Sequence, residues 1–506
     1  MRVALVQVFD TDEDIQSAYP PLGFGYLAAY ARRDLPDVEF LYCTTAKEAI
    51  AADPDIVGIS AVSENYGLAR ECAAALRRET DIPILLGGVH VSMLPETMTQ
   101  DFDVGVIGEG EVTFTELLRN FMDRGQGWRE GLDSIEGICF RREGNFVVTP
   151  RRALIERLDD IPHPDRDLIH GSSDLAYSVF SARGCPFNCN FCSSRNFWKR
   201  TRFFSAAYIV EEIKDLRERY KATNIFFWDD LFFLEEQRLK EISRLIRESG
   251  LDKEITFVCN LRSDVVDAGL CETLKAMNVH SVNLGFESGS NRVLQLMNKK
   301  ETVEQHEQAL SLLSEHGIAV GASFMIGYPG ETKEDMDATV SFIEEHLGKD
   351  LFGYDIYPFI IFPGTKEWTA GLEKGQFAES DEPYRYKIDL FSVEPSNYFY
   401  INRAASWEDT FIHFLYLKGL AYKNRMAVNM ELSAKRINDY IELQEHDDKL
   451  QEHDDKLQEH DDKLREHYDK LREYSSTLRT VYEQTLEKVK VLEAGAGRAS
   501  DEEAGN

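Results

Sequence analysis

Ser181-Ala-Arg-Gly-Cys-Pro-Phe-Asn-Cys-Asn-Phe-Cys-Ser-Ser194 carries three cysteines, Cys185, Cys189 and Cys192, in the spacing CxxxCxxC. Three thiols this close, on a loop rich in Gly, Pro and Asn, can converge on one metal centre. Three thiolates suit three irons of a cubane cluster and leave the fourth iron open. A zinc site usually takes a fourth Cys or a His close by, and none lies near in the sequence. A disulfide reading leaves one cysteine over.

Outward from this loop the chain alternates. Residues 178–181 read as the strand that delivers the cysteines. A helix is expected over about 206–220, where Ile209, Ile213 and Leu216 fall at helical spacing. Ile225-Phe-Phe-Trp-Asp-Asp230 reads as an apolar strand ending in two carboxylates, Asp229 and Asp230. The next strands end at Arg262, at Glu287-Ser288, and at Gly327, which Tyr-Pro-Gly-Glu331 follows. A last strand covers 355–361. Six strand–helix units over roughly 190 residues fit a partial (β/α)6 barrel, with polar residues at the carboxyl ends of strands facing the site.

The N-terminal part alternates too, with short apolar runs at 3–8, 38–42, 56–60, 82–90 and 104–107. That is the pattern of a doubly wound, Rossmann-like α/β domain. Ligands of such sheets sit over the carboxyl ends of the strands. Those ends carry Ser60, Gly87, Gly88, His90, Gly108 and Glu109. The domains expected are 1–125 (α/β), 126–175 (connector with a small hairpin), 176–385 (partial barrel) and 386–435 (cap). A heptad-repeat coiled coil at 436–492 and a disordered tail at 493–506 complete the chain.

CxxxCxxC with an aromatic, Phe191, before the last Cys resembles the signature of radical S-adenosylmethionine (SAM) enzymes. The resemblance implies a [4Fe-4S] cluster on Cys185, Cys189 and Cys192 whose unique iron chelates SAM. It places Asp229 and Asp230 at the amino group of SAM and Arg262 at its carboxylate. Glu287 and Ser288 then meet the nucleoside or methionine part, and Phe191 packs on adenine near the Gly327 backbone. The N-terminal segment resembles the cobalamin-binding domain of cobalamin-dependent radical enzymes, on Pro20-Pro21-Leu22-Gly23, Gly87-Gly88-Val89-His90 and Gly108-Glu109-Gly110-Glu111. The Asp-x-His-x-x-Gly motif that supplies a His to cobalt elsewhere is absent, so a bound cobalamin is expected to have no protein His below the cobalt. His90 is expected near the corrin or as a structural residue. The function implied is C-methylation of an unactivated carbon of a small molecule. The alternatives are a radical cyclase or rearrangement enzyme with the same cofactors, and a non-catalytic coiled-coil scaffold. A flavodoxin- or ferredoxin-type donor is the implied source of electrons.

The 506 residues carry 57 Lys and Arg against 89 Asp and Glu, giving 57 − 89 = −32. This charge argues against a broad grip on nucleic acid. No apolar run approaches the ~20 residues of a membrane span, and the N-terminus enters a strand pattern rather than a signal peptide. Eight cysteines, three of them clustered, fit a reducing compartment, so a cytoplasmic location is expected. In the tail, Gln-Glu-His-Asp-Asp-Lys-Leu recurs at 444–450, 451–457 and 458–464, and leucine recurs every seven residues from Leu443 to Leu478. His446, His453, His460 and His467 alternate with the leucines to form a heptad seam through which the chain could self-associate. Imidazolium is tolerated worse than imidazole in such a seam. A 436–492 peptide is expected to lose helical circular dichroism between about pH 8 and 5; constant ellipticity would count against the seam.

Overall fold

The computed structural model describes residues 1–9, 21–169, 177–382, 384 and 400–446. Its N-terminal sheet contains β1 (Arg2–Gln7), β2 (Glu39–Cys43), β3 (Ile56–Ser60), β4 (Ile84–Gly87), β5 (Val104–Val106), β6 (Ile138–Arg142) and β7 (Asn145–Val148). The spatial order is β2-β1-β3-β4-β5-β6-β7, with the first five parallel. Val3, Ala4, Leu5 and Val6 are all buried, as strands covered on both faces require. The strand order reverses at β1, which opens a crevice beyond the carboxyl ends of β1 and β3.

The hairpin expected in the connector is part of this sheet. β6 pairs antiparallel with β5, Val104 opposite Phe140, because Ile138, Cys139 and Phe140 bury their side chains there. The α/β layer therefore extends beyond residue 125.

The second sheet contains β8 (Tyr177–Val179), β11 (Asn224–Phe227), β12 (Thr256–Leu261), β13 (Val279–Glu287), β14 (Ala319–Ile326) and β15 (Gly353–Pro358). These strands are parallel and neighbour one another in chain order, open between β15 and β8, which is a partial barrel. Between β8 and β11 stands a short antiparallel ribbon of β9 (Ala182–Arg183) and β10 (Arg202–Phe203). The cysteine loop hangs from this ribbon. Several of the crossover helices start at side-chain caps. Ser205 accepts from Tyr208 N at 3.1 Å, Asp267 accepts from Leu270 N at 2.8 Å, and Thr302 forms a capping box with Gln305.

Both sheets lie in one compact unit, Met1–Arg425. Tyr26 of the helix Leu22–Asp34 stacks with Phe204 of the barrel at 6.3 Å between ring centroids. The helix Trp407–His446 buries Phe414, Leu417 and Ala421, and Tyr354 Oη of β15 donates to Leu417 O at 2.5 Å. Residues 426–506 form a second unit, of which only the helix to His446 is described. The heptads beyond 446 lie outside the described residues. Among the described residues no helix is long and apolar enough to cross a membrane.

Arg166, between the two sheets, is ion-paired with Glu212 and donates to Ser178 O at 2.7 Å, with both charged side chains 2% exposed. Removing one member strands a buried charge. Arg166→Met is expected to cost about 3–5 kcal/mol in urea unfolding, and Arg166→Met with Glu212→Leu to recover most of it. A wild-type midpoint for the single variant would refute this.

Candidate active site

The cysteine loop is held from outside. Asn190 N donates to Met297 O at 2.8 Å, its Nδ2 to Leu296 O at 2.9 Å, and Asn298 Nδ2 to Asn188 O at 2.7 Å. Arg195 donates to Pro186 O at 2.6 Å. The Arg262 guanidinium lies 3.7 Å from the Phe187 ring centroid. Gly184, which leads into Cys185, has φ +93°, and a Cβ there would stand 2.8 Å from Arg200 O, so the ribbon turns only with glycine.

The three cysteines are free thiols, two half-buried and Cys192 exposed. Among the described residues no three His, Cys, Asp or Glu side chains gather as around a single metal ion. Three thiols on one short loop suit a cubane, which distributes three sulfurs over three irons. Burial pushes the Cys189 thiol up, opposed by Lys299 and Arg262. Thiolate ligation would release this proton.

A network of buried charges lies beneath the loop. Lys299 Nζ is 3.3 Å from Glu287 and 3.2 Å from Glu301, and Arg262 pairs with both oxygens of Asp264 at 2.9 and 3.0 Å. Glu301 accepts from Ser263 N at 2.6 Å and Oγ at 2.7 Å. Glu287 ends β13 at φ +66°, a strained position for a residue with a side chain. It lines a cavity of about 220 Å³ with Phe191, Ser323, Tyr357, Phe359 and, from the N-terminal part, Glu64.

A second cavity, of about 370 Å³, opens at the crevice of the N-terminal sheet. Ser60, Gly87, Gly88, Gly108 and Glu109 line it, as do Arg183, Phe197 and Trp198 from the cysteine ribbon and the helix after it. At Gly23 and Gly108 an added Cβ would meet nothing within 4 Å, so the glycines leave room for a large ligand. Glu109 does not present its carboxylate freely. It is held by Arg183 at 2.9 Å and by Arg202 at 2.8 Å.

Three site residues are turned inward: Asp229 and Ser288 against the expectation of a ligand contact, and His90 in the structural role that is one of its two expected places. His90 is fully buried outside both cavities and stacks on Tyr66 at 3.8 Å. Thr97 Oγ1 donates to Leu94 O, so it accepts from His90 Nε2 at 2.9 Å, and Nδ1 accepts from Ser63 at 3.1 Å. Burial lowers this imidazole to about 3 and keeps it neutral. Asp229 is 1% exposed and accepts from Ser181 N at 2.7 Å, Ala182 N at 2.9 Å and the Ser181 hydroxyl, so it pins the ribbon rather than facing a ligand. Burial pushes its carboxyl up to about 6 against those donors. Ser288 is buried beside Thr339 and Ser290. Asp230, by contrast, is exposed and accepts from Ser194 Oγ at 2.5 Å. Gly327 N donates to buried Glu331 at 2.5 Å. Arg183, Arg202, Lys299, Glu301 and Glu64 were missed. The adjacent Lys299-Lys300-Glu301 was the legible signal; the others needed the fold.

A three-cysteine loop beside one cavity, with a second cavity at the switch point of an adjoining α/β sheet, gives the fold places for a cluster and for two organic ligands. The Radical SAM superfamily matches residues 179–343 and the B12 binding domain residues 13–118. An uncharacterised methyltransferase of Pyrococcus horikoshii is 34% identical over 374 residues, 70% of this chain and 78% of that protein. An anaerobic magnesium-protoporphyrin IX monomethyl ester cyclase of Rubrivivax gelatinosus is 29% identical, over 64% of this chain and 62% of that one. TsrM from Kitasatospora setae, a radical SAM methyltransferase solved with cobalamin and a [4Fe-4S] cluster, superposes with TM-score 0.60 at 20% identity, covering 74% of this chain and 75% of that one. OxsB, a cobalamin-dependent radical enzyme, gives TM-score 0.60 at 22% identity, covering 74% and 61%. The chain belongs to the radical SAM superfamily, in the methyltransferase-like group that carries a B12-binding domain. Its cofactors are a [4Fe-4S] cluster, SAM and cobalamin.

Burial raises the Glu331 carboxyl to about 8. The folded state thus holds a proton that the unfolded chain releases near pH 4.5, and stability falls as pH rises from about 4.5 to 8. Glu331→Gln is expected to remove this slope, up to about 1.4 kcal/mol per pH unit, in urea titrations at pH 5, 7 and 9. Parallel wild-type and variant profiles would contradict it.

Proposed function

We propose that this enzyme C-methylates an unactivated carbon of a small-molecule substrate. The observation that carries the reading is a shared wall: the ribbon and helix that bracket Cys185, Cys189 and Cys192 also supply Arg183, Phe197 and Trp198 to the B12-side cavity. When bound, the cluster with SAM supplies a 5′-deoxyadenosyl radical for hydrogen abstraction, and cobalamin supplies the methyl-carrying metal.

The chain's own residues position and shield. Cys185, Cys189 and Cys192 hold the cluster. Phe191 and Glu287, which line the smaller cavity, would hold SAM with Gly327 at the neighbouring strand end, and exposed Asp230 would receive its amino group. Arg262, already paired with Asp264, braces the cysteine loop through Phe187. Ser60, Gly87, Gly88 and Gly108 cradle cobalamin, and among the described residues no histidine lines that cavity. Apolar Phe324, Met325, Pro358, Phe359, Ile360 and Phe362 keep water from the radical. Electrons come from a flavodoxin- or ferredoxin-type donor.

The cyclase similarity favours a second reading, radical ring formation with the same cofactors. Anaerobic reconstitution followed by SAM and reductant separates the two. Methylation yields 5′-deoxyadenosine and S-adenosylhomocysteine; cyclisation yields only the first. Cys189→Ala is expected to abolish the visible iron–sulfur absorbance and both products. Product formation by that variant would sink the assignment.

A further inference from the structure

Four charged side chains meet where the N-terminal part joins the barrel. Arg183 donates to Glu109 at 2.9 Å and to Glu111 at 2.6 Å, and Arg202 donates to both oxygens of Glu109 at 2.8 Å. All four side chains are 5–7% exposed. Arg183 and Arg202 are register partners across β9 and β10, so their guanidinium groups leave one ribbon side by side. Both carboxylates stand at the start of the helix Gly110–Arg124, and both residues line the B12-side cavity together with Arg183. Glu109 also accepts from Ile155 N at 3.0 Å, and Arg202 donates to Ile155 O at 2.6 Å, which ties in the connector. The rings of Trp198 and Tyr26 lie within 6 Å of these guanidinium groups.

Stability does not account for such a cluster. Taking two guanidinium and two carboxylate groups out of water is costly, and apolar replacements of similar volume are often as stable. What the cluster supplies is direction, because paired guanidinium–carboxylate contacts fix both distance and angle. Arg183 is two residues from Cys185. Only Gly184, held at φ +93°, separates this cavity-lining side chain from the first cluster ligand, so a shift of Arg183 carries directly to Cys185.

We propose that Arg183 is a positioning residue that sets the separation of the [4Fe-4S] cluster and cobalamin, with Glu109, Glu111 and Arg202 as its fixed frame. The inference rests on the two-cofactor reading above. Transfer between bound groups is sensitive to misplacement on the ångström scale.

The test uses full-length protein reconstituted with iron, sulfide and hydroxocobalamin, after cofactor content has been measured. Partial reduction places unpaired spins on the cluster and on cob(II)alamin, and electron paramagnetic resonance reads their magnetic coupling. Arg183→Met and the milder Glu111→Gln are expected to load both cofactors but weaken that coupling. S-adenosylhomocysteine formation should fall about tenfold or more relative to 5′-deoxyadenosine, with Arg183→Lys in between. If Arg183→Met does not load, Glu111→Gln decides, since it keeps the Arg183–Glu109 pair. Wild-type coupling and product ratio in loaded variants would overturn the inference alone. Wild-type protein that takes up no cobalamin would overturn the two-cofactor reading and this inference with it.

Discussion

The carboxylate of Glu109, shared by Arg183 and Arg202, is the contact on which the arrangement of the two halves depends. Neither half could leave these groups unpaired away from water, because an isolated buried charge costs several kcal/mol. Once Arg183 is committed to Glu109 and Glu111, the ribbon that carries the cysteines has one place to lie against the α/β sheet. The aromatic packing of Tyr26 on Phe204 adds area at the same junction but far less direction.

The cysteine loop needs such support because of its composition. A segment of Gly, Pro, Asn and Cys with two Phe, Phe187 and Phe191, has few regular backbone bonds of its own. The fold replaces them with imported ones: Asn190 N and Nδ2 donating to the carbonyls of Met297 and Leu296, the Asn298 side chain, and the Arg262 guanidinium over Phe187. Lys299 and Arg262 also place positive charge beside Cys189, the polarity that favours thiolate ligands. Glu287 is drawn into the same network by Lys299, which fixes a strained strand end at the wall of the smaller cavity.

Much of this was legible in one dimension. The cysteine spacing, the apolar runs and the glycine-ended strands lead to a doubly wound sheet followed by a partial barrel. Gly87, Gly88 and Gly108 end up on a cavity wall because strand ends of such sheets have only one open side. Chain position did not distinguish Asp229 from Asp230. The strand β11 stops at Phe227, so both lie in the loop beyond it, where one is sealed against Ser181 and Ala182 while the other stays exposed. His90 likewise left two places open, beside the corrin or in the structure. A histidine after two glycines suggests a ligand contact, yet its ring packs inward on Tyr66 with both nitrogens bonded to hydroxyls.

The order of residues alone made the three-thiol loop and the two α/β segments legible, since three thiols in a short loop and alternating apolar segments are local properties. The division of labour among the charged residues was not local. Arg183 and Glu111 are 72 positions apart, and Arg262 and Glu301 are 39 apart, yet each pair meets in a water-poor interior. Whether a carboxylate greets a ligand, pins a turn or braces two layers depends on the groups that close around it in three dimensions, because burial makes unpaired charge costly and so dictates its partner.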